Sequence, residues 1–353
     1  MFVGGLVALL FGASLLVRGA SKLALGLGLS PLVVGLTVVS LGTSAPEIAV
    51  TTGAALSGQT GLAIGNVVGS NIFNVLCCLG LSALIAPLTV NMQLIRQEVP
   101  IMIGVSMLLL LLSLDGRIGL SDAALLLVLL VAYVVFLVRQ SRAQSRAAAE
   151  VYTQSFGPHA SRSWDSRLPG QLGLIALGLV LLVLGSQSLV EASVVFARAM
   201  GVSDLVIGLT IVAAGTSMPE VATSVMAALK GERDIAVGNV VGSNIFNVLG
   251  CVGLAGLASG YDGLPVAAAA LNFDLWVMLA VALACLPVFI SGREIARWEG
   301  GVFLGYYAAY VIYLVLQAQQ HAGLPMFSGA MLGFVLPLTL VTLVVVMLRK
   351  PLR

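Results

Sequence analysis

The chain is predicted to be an all-α polytopic membrane protein, two inverted five-helix repeats followed by one extra C-terminal helix, and three observations carry that reading. Of its 353 residues, 59% are hydrophobic and only 9% charged, far too apolar for an ordinary soluble domain. Its apolar runs are mostly long enough, roughly 18 to 25 residues, to cross about 30 Å of hydrocarbon as helices; a transmembrane barrel would instead show short alternating strands. Lastly, the chain states one passage twice. GTSAPEIAV from Gly42 and GNVVGSNIFNVL from Gly65 return as GTSMPEVAT from Gly215 and GNVVGSNIFNVL from Gly238, each position 173 residues downstream of its twin.

Taken in order, spans are expected at 3–27, 31–56, 62–86, 98–114, 120–138, 170–198, 204–229, 235–259, 273–291, 300–317 and 326–348. The first lacks a basic segment ahead of its apolar stretch and reads as a retained span, not a signal peptide. Residues 1–138 then form the first repeat, 139–169 a flexible, partly helical linker, 170–317 the second repeat, and 318–353 an additional helix with a basic tail. That last helix has no counterpart in the first half and is assigned to packing or to assembly with a second copy.

Orientation follows from counting. With the linker in the cytoplasm, alternation places 15 of the 17 Lys and Arg residues on the cytoplasmic side and leaves Arg117 and Arg198 outside, which is the positive-inside pattern. The N-terminus is therefore expected outside and the C-terminus inside, in the plasma membrane, or the inner membrane of a Gram-negative cell. Because each half holds five spans, the second copy enters the bilayer from the opposite side. That is the inverted-repeat plan of secondary transporters, whose binding sites lie near the midplane.

Composition also excludes. The basic residues form no extended face for nucleic acid. Cys77, Cys78, Cys251 and Cys285 lie in apolar segments without metal-site spacing, and the two histidines, His159 in the central loop and His321 near a late span end, are not expected to form a metal cluster. Asp274, with other acidic residues toward outer span ends, reads as a solvated loop end. No nucleotide motif or catalytic constellation is visible, so the chain is not read as an enzyme.

The doubled passage carries the chemistry. Glu47 and Glu220 each follow a proline inside apolar sequence, and an ionisable group at that depth is a functional-site hypothesis by default. Pro46 and Pro219 interrupt or kink their helices, and Gly42 and Gly215 allow close backbone approach. Thr43, Ser44 and Glu47 can converge on one helical face, as can Thr216, Ser217 and Glu220. On the next span Asn66, Ser70 and Asn74 share a face at i, i+4, i+8, repeated by Asn239, Ser243 and Asn247. These are hard oxygen donors, suited to Ca²⁺ or Na⁺. Gly65, Gly69, Gly238 and Gly242 are expected to serve close helix crossing.

The paired G-T-S-x-P-E and G-N-x-x-G-S-N-I-F-N motifs resemble the two alpha repeats of the calcium/cation antiporter superfamily, especially prokaryotic sodium/calcium exchanger proteins, over about residues 3–317. The resemblance implies a ten-helix core with a central Ca²⁺ position and flanking Na⁺ positions. It implies calcium ligands at Glu47, Asn74, Glu220, Asn247, Thr43 and Thr216. Sodium ligands are implied at Thr43, Ser44, Glu47, Ser70, Thr216, Ser217, Glu220 and Ser243, with the backbone carbonyls of Ser40 and Ala213. It also exposes a departure, since well-understood sodium/calcium exchangers of this type carry aspartate where this chain has Asn247. The expected function is Ca²⁺ antiport driven by Na⁺, with H⁺ as the alternative coupling ion and a channel or membrane scaffold as more distant readings. No resident cofactor is expected; the ions are cargo and the bilayer is the surrounding partner.

Overall fold

A computed structural model describes residues 1–153, 167–200 and 213–348. Helix α1 (Phe2–Leu27) ends where Gly28 turns left-handed at φ 62°, its N–H returning to the last helical carbonyls, a conformation glycine adopts without a Cβ clash. Ser30 accepts the Val33 N–H and Pro31 opens α2 (Pro31–Thr43), which bends by 45° into α3 (Ala45–Leu56). Then come α4 (Thr60–Ile85), the two-residue strand β1 (Leu88–Thr89), α5 (Leu94–Leu112), β2 (Arg117–Ile118) and α6 (Leu120–Thr153). After α7 (Leu168–Ala199) a short helical turn, Ala213–Gly215, precedes α8 (Met218–Leu229) and α9 (Arg233–Ala258). The chain finishes through β3 (Leu264–Pro265), α10 (Ala270–Ile290), β4 (Glu294–Ile295), α11 (Arg297–Ala318) and α12 (Leu324–Val345).

Among the described residues nine helices are long and apolar enough to span a membrane, or ten when the bent pair α2–α3 is taken as one. The protein is therefore all-α and polytopic, apart from four minimal strands among the described residues that no sequence pattern announced. The expected boundary at 138 is not a structural one, because α6 runs on to Thr153; the span expected at 204–229 is described only from Ala213 onward. Residues 154–166 of the linker and 349–353 of the tail lie outside the described residues.

The strands tie distant parts together. β1 pairs antiparallel with β4, Leu88 opposite Ile295, and β2 pairs antiparallel with β3, Ile118 opposite Leu264. Each pair thus joins one strand of the first half to one of the second.

The interior is centred on α4 and α9, where 72% and 89% of the membrane-crossing window is buried, against 6% for α11 and none for α12. Glycines set how closely the helices approach. A Cβ on Gly12 would stand 2.8 Å from the Gly178 carbonyl oxygen, and one on Gly185 would stand 2.7 Å from the Leu9 nitrogen. So α1 and α7 cross backbone to backbone at Gly5, Gly12, Gly178 and Gly185, whose seven-residue spacing keeps one face turned to the partner. Gly238 and Gly242 do pack as expected, with Leu32 and Leu36 backbone oxygens 3.0 and 2.8 Å from a would-be Cβ. For Gly65 and Gly69 no described residue lies within 4 Å of that point; by the 173-residue offset the counterparts of Leu32 and Leu36 are residues 205 and 209, outside the described residues.

Candidate cation site

The site begins with the two helix breaks. Ser44 (φ −79°, ψ 4°) and Ser217 (φ −90°, ψ 9°) end the helical path, and Pro46 and Pro219 fall in the first turns of α3 and α8. At that position proline costs no hydrogen bond and presets the helical φ. The expected interruption is therefore present, with each proline placed just after the break, in the first turn of the helix that follows it. Glu47 and Glu220 come to rest in those same first turns, where unpaired N–H groups and the helix dipole favour negative charge.

Each glutamate is held by a hydroxyl from the opposite half. Ser217 Oγ donates to Glu47 Oε1 at 2.9 Å and Ser44 Oγ donates to Glu220 Oε1 at 3.3 Å. Ser217 also lies 3.0 Å from Ser70 Oγ. Thr43 Oγ1 donates to Asn239 Oδ1 at 3.1 Å and approaches Ser243 Oγ at 3.5 Å, while Thr216 Oγ1 donates to Asn66 Oδ1 at 3.3 Å. The two asparagines are steadied in turn, Asn66 Nδ2 by Thr51 Oγ1 at 2.9 Å and Asn239 Nδ2 by Ser224 Oγ at 3.0 Å.

Both carboxylates are wholly buried, and the second oxygen of each, Glu47 Oε2 and Glu220 Oε2, has no hydrogen-bond partner. Among the described residues no Lys or Arg pairs with either. A buried structural carboxylate needs such a partner, and these two, in equivalent places, lack one. No cluster of three or more His, Cys, Asp or Glu forms among the described residues; the polar atoms around the two carboxylates are neutral hydroxyl and amide groups.

The structure brings together Thr43, Ser44, Glu47, Ser70, Thr216, Ser217, Glu220 and Ser243 through these contacts. Thr43 and Ser44 do not share a helical face with Glu47, however, because the break falls between them. Gly42 and Gly215 lie under Leu179 and Val190 side chains, and Ser186 Oγ donates to the Gly215 carbonyl at 2.7 Å. The Ser40 carbonyl accepts from the Ser44 N–H at 2.9 Å and the Thr43 hydroxyl at 3.3 Å. Ala213 opens the short turn ahead of Gly215.

Asn74 and Asn247 stand at the start of π-helical turns in α4 and α9, a distortion frequent at functional sites. Their partners are Asn71 and Asn244, which the i, i+4, i+8 spacing passed over. Asn74 Nδ2 donates to Asn244 Oδ1 and Asn247 Nδ2 to Asn71 Oδ1, both at 3.1 Å. A further repeated pair lies away from this centre: Tyr133 donates to buried Glu98 at 2.8 Å and Tyr310 to Asp274 at 2.9 Å. Asp274 is thus a bonded residue within α10, not a solvated loop end.

The sodium/calcium exchanger protein family model matches residues 1–139 and 170–316. The inner membrane protein YrbG of Escherichia coli K12 is 38% identical over 283 residues, covering 80% of this chain and 86% of YrbG. The sodium/calcium exchanger MaX1 of Methanosarcina acetivorans is 36% identical over 340 residues, covering 88% and 96%. Among solved structures, the sodium-calcium exchanger NCX_Mj soaked with Na⁺ and Ca²⁺ superposes with a TM-score of 0.73 at 30% identity, covering 88% of this chain and 96% of that one.

Proposed function

The chain belongs to the sodium/calcium exchanger family, and from that premise we propose that it is a secondary active antiporter exchanging Ca²⁺ for Na⁺ through the site between its halves. The observation that carries this reading is the pair of buried, unpartnered carboxylate oxygens, Glu47 Oε2 and Glu220 Oε2. One Ca²⁺ neutralises the two charges, and so do two Na⁺. Each cargo therefore excludes the other, and a site left empty carries two uncompensated charges that resist reorientation in hydrocarbon. Obligatory exchange follows from that charge balance, without an enzyme's chemistry.

Calcium ligands are Glu47 and Glu220 with Thr43, Thr216, Asn74 and Asn247; sodium ligands are the same glutamates with Thr43, Ser44, Ser70, Thr216, Ser217 and Ser243 and the carbonyls of Ser40 and Ala213. In this reading the two five-helix halves are inverted relative to one another, with the N-terminus outside and the C-terminus cytoplasmic, an orientation supported by the 15 of 17 basic residues it places inside. Alternate opening of such halves around a fixed site exposes it to each side in turn. Assembly through α12 is checked by the mass of the purified protein.

The test is ⁴⁵Ca²⁺ uptake into sealed proteoliposomes under separately imposed Na⁺ and pH gradients. Uptake that requires trans Na⁺ and survives a protonophore is the expected result. Uptake that runs without Na⁺ and collapses with protonophore would assign the coupling to H⁺ instead.

A further inference from the structure

At the contact of α4 with α9, four asparagine side chains close a reciprocal ring. Asn71 Nδ2 donates to the Asn244 backbone carbonyl at 3.2 Å, and Asn244 Nδ2 donates to the Asn71 carbonyl at 3.2 Å. Their second N–H groups lie against Met278 and Met102 sulfurs at 3.6 Å. A backbone carbonyl only accepts, so the atom facing it must be the amide nitrogen; neither Asn71 nor Asn244 can be flipped without setting oxygen against oxygen. Asn71 Oδ1 is thereby the atom that faces residue 247, and Asn244 Oδ1 the atom that faces residue 74. An amide oxygen also only accepts. Whatever stands at 247 or 74 must present a donor to it.

We infer that Asn71 and Asn244 are positioning residues: they hold the NH₂ groups of Asn247 and Asn74, leave those residues' amide oxygens as the atoms offered to a cation, and admit only a neutral, hydrogen-donating side chain at either position. The inference rests on the antiport reading of the site and deepens it. Besides its NH₂ bond, each outer asparagine has, among the described residues, one further side-chain hydrogen bond, a long one: Cys78 Sγ to Asn74 Oδ1 and Cys251 Sγ to Asn247 Oδ1, both 3.5 Å. A thiol is a weak donor, so a cation displaces it readily. All four asparagines are buried, with 3% exposure at most. An ionised aspartate at 247 would put negative oxygen about 3.1 Å from Asn71 Oδ1, with Glu47 and Glu220 adding like charge across the site. The site's negative charge is thus capped at the two glutamates by a hydrogen bond outside the ligand set.

A double-mutant cycle on full-length protein in proteoliposomes tests this, reading the KM for Ca²⁺. Asn71→Ala and Asn247→Ala are each expected to raise KM roughly tenfold, and the double variant no further than Asn247→Ala alone, because one residue acts through the other. Multiplied effects, near a hundredfold, would overturn the inference, as would an unchanged KM in Asn71→Ala. A residue that merely packed would multiply. If Asn71→Ala fails to fold, Asn244→Ala with Asn74→Ala forms the equivalent cycle. A second arm needs no transport: in spectra of protein labelled with ¹⁵N-asparagine, Asn71→Ala should shift the Asn247 side-chain NH₂ resonance and speed its hydrogen exchange. An unchanged Asn247 NH₂ signal would also sink the proposal. Absence of Ca²⁺ uptake by the unmutated protein would refute the antiport reading while leaving the spectroscopic arm to judge the hydrogen-bond geometry.

Discussion

Helix α9 and helix α12 are both apolar enough to span a bilayer, with mean hydropathy 1.7 and 2.1, yet 89% of the first is buried and none of the second. The buried helix carries Asn239, Ser243, Asn244 and Asn247; the exposed one has 14 Leu, Val, Met and Phe among its 22 residues and no Asn. In water the relation would run the other way. Lipid is as apolar as leucine, so burial gives a leucine no advantage here, and the interior is left to small residues for close approach and to polar residues that bond one another. Burial in this chain therefore marks where polar side chains gather, and hydropathy alone does not separate the two helices.

The largest departures should follow changes at the buried centre. Glu47→Gln and Glu220→Gln keep shape and remove charge, and each should cut Ca²⁺ uptake by roughly a hundredfold or more, since a divalent cation loses a charge-assisted ligand in a low-dielectric site; size-exclusion profiles should not change. Next in size is Gly12→Val on the α1–α7 crossing, where the Gly178 carbonyl already lies 2.8 Å from a Cβ. It should destabilise the protein by about 1–3 kcal/mol, read as a lowered Tm in detergent.

A finer comparison is Ser217→Ala against Ser44→Ala. Ser217 bonds Glu47 at 2.9 Å and Ser70 at 3.0 Å, whereas Ser44 has one longer bond of 3.3 Å to Glu220. Losing one hydrogen bond corresponds to roughly a 2- to 10-fold change, and the rise in the KM for Na⁺ should be greater for Ser217→Ala. At the small end, a chain stopped after Ala318 should exchange within about twofold of the full protein, because α12 meets the rest mainly across an apolar cavity of about 880 Å³ beside α10 and α11, with Tyr306 bonding Thr339. A large loss in that truncation would break the contrast between the two helices.

Much of the fold was legible because membrane helices announce themselves by length, and the doubled motif named both glutamates and their hydroxyl neighbours. What stayed hidden depended on partners. Helical spacing put Asn66, Ser70 and Asn74 on one face and so directed attention away from Asn71, one residue from Ser70, whose role exists only once Asn244 is opposite. Gly5 and Gly12 show a seven-residue spacing in the sequence, but nothing there says that Gly178 and Gly185 receive them. The four strands, two residues each, are too short to show any alternation. The interruption near Pro46 and Pro219 was legible, but not its exact place: the breaks fall at Ser44 and Ser217, and the prolines begin the next helices.

The strand pairs bear on the order in which the chain is made. β1 and β2 are synthesised early, yet Ile118 gains its partner Leu264, and Leu88 its partner Ile295, only near the end. Until then the first half would hold unpaired strand edges and a lone Asn71 in the bilayer. Its completion is deferred to the second half, so the two halves made as separate polypeptides should each be short-lived alone and persist when produced together.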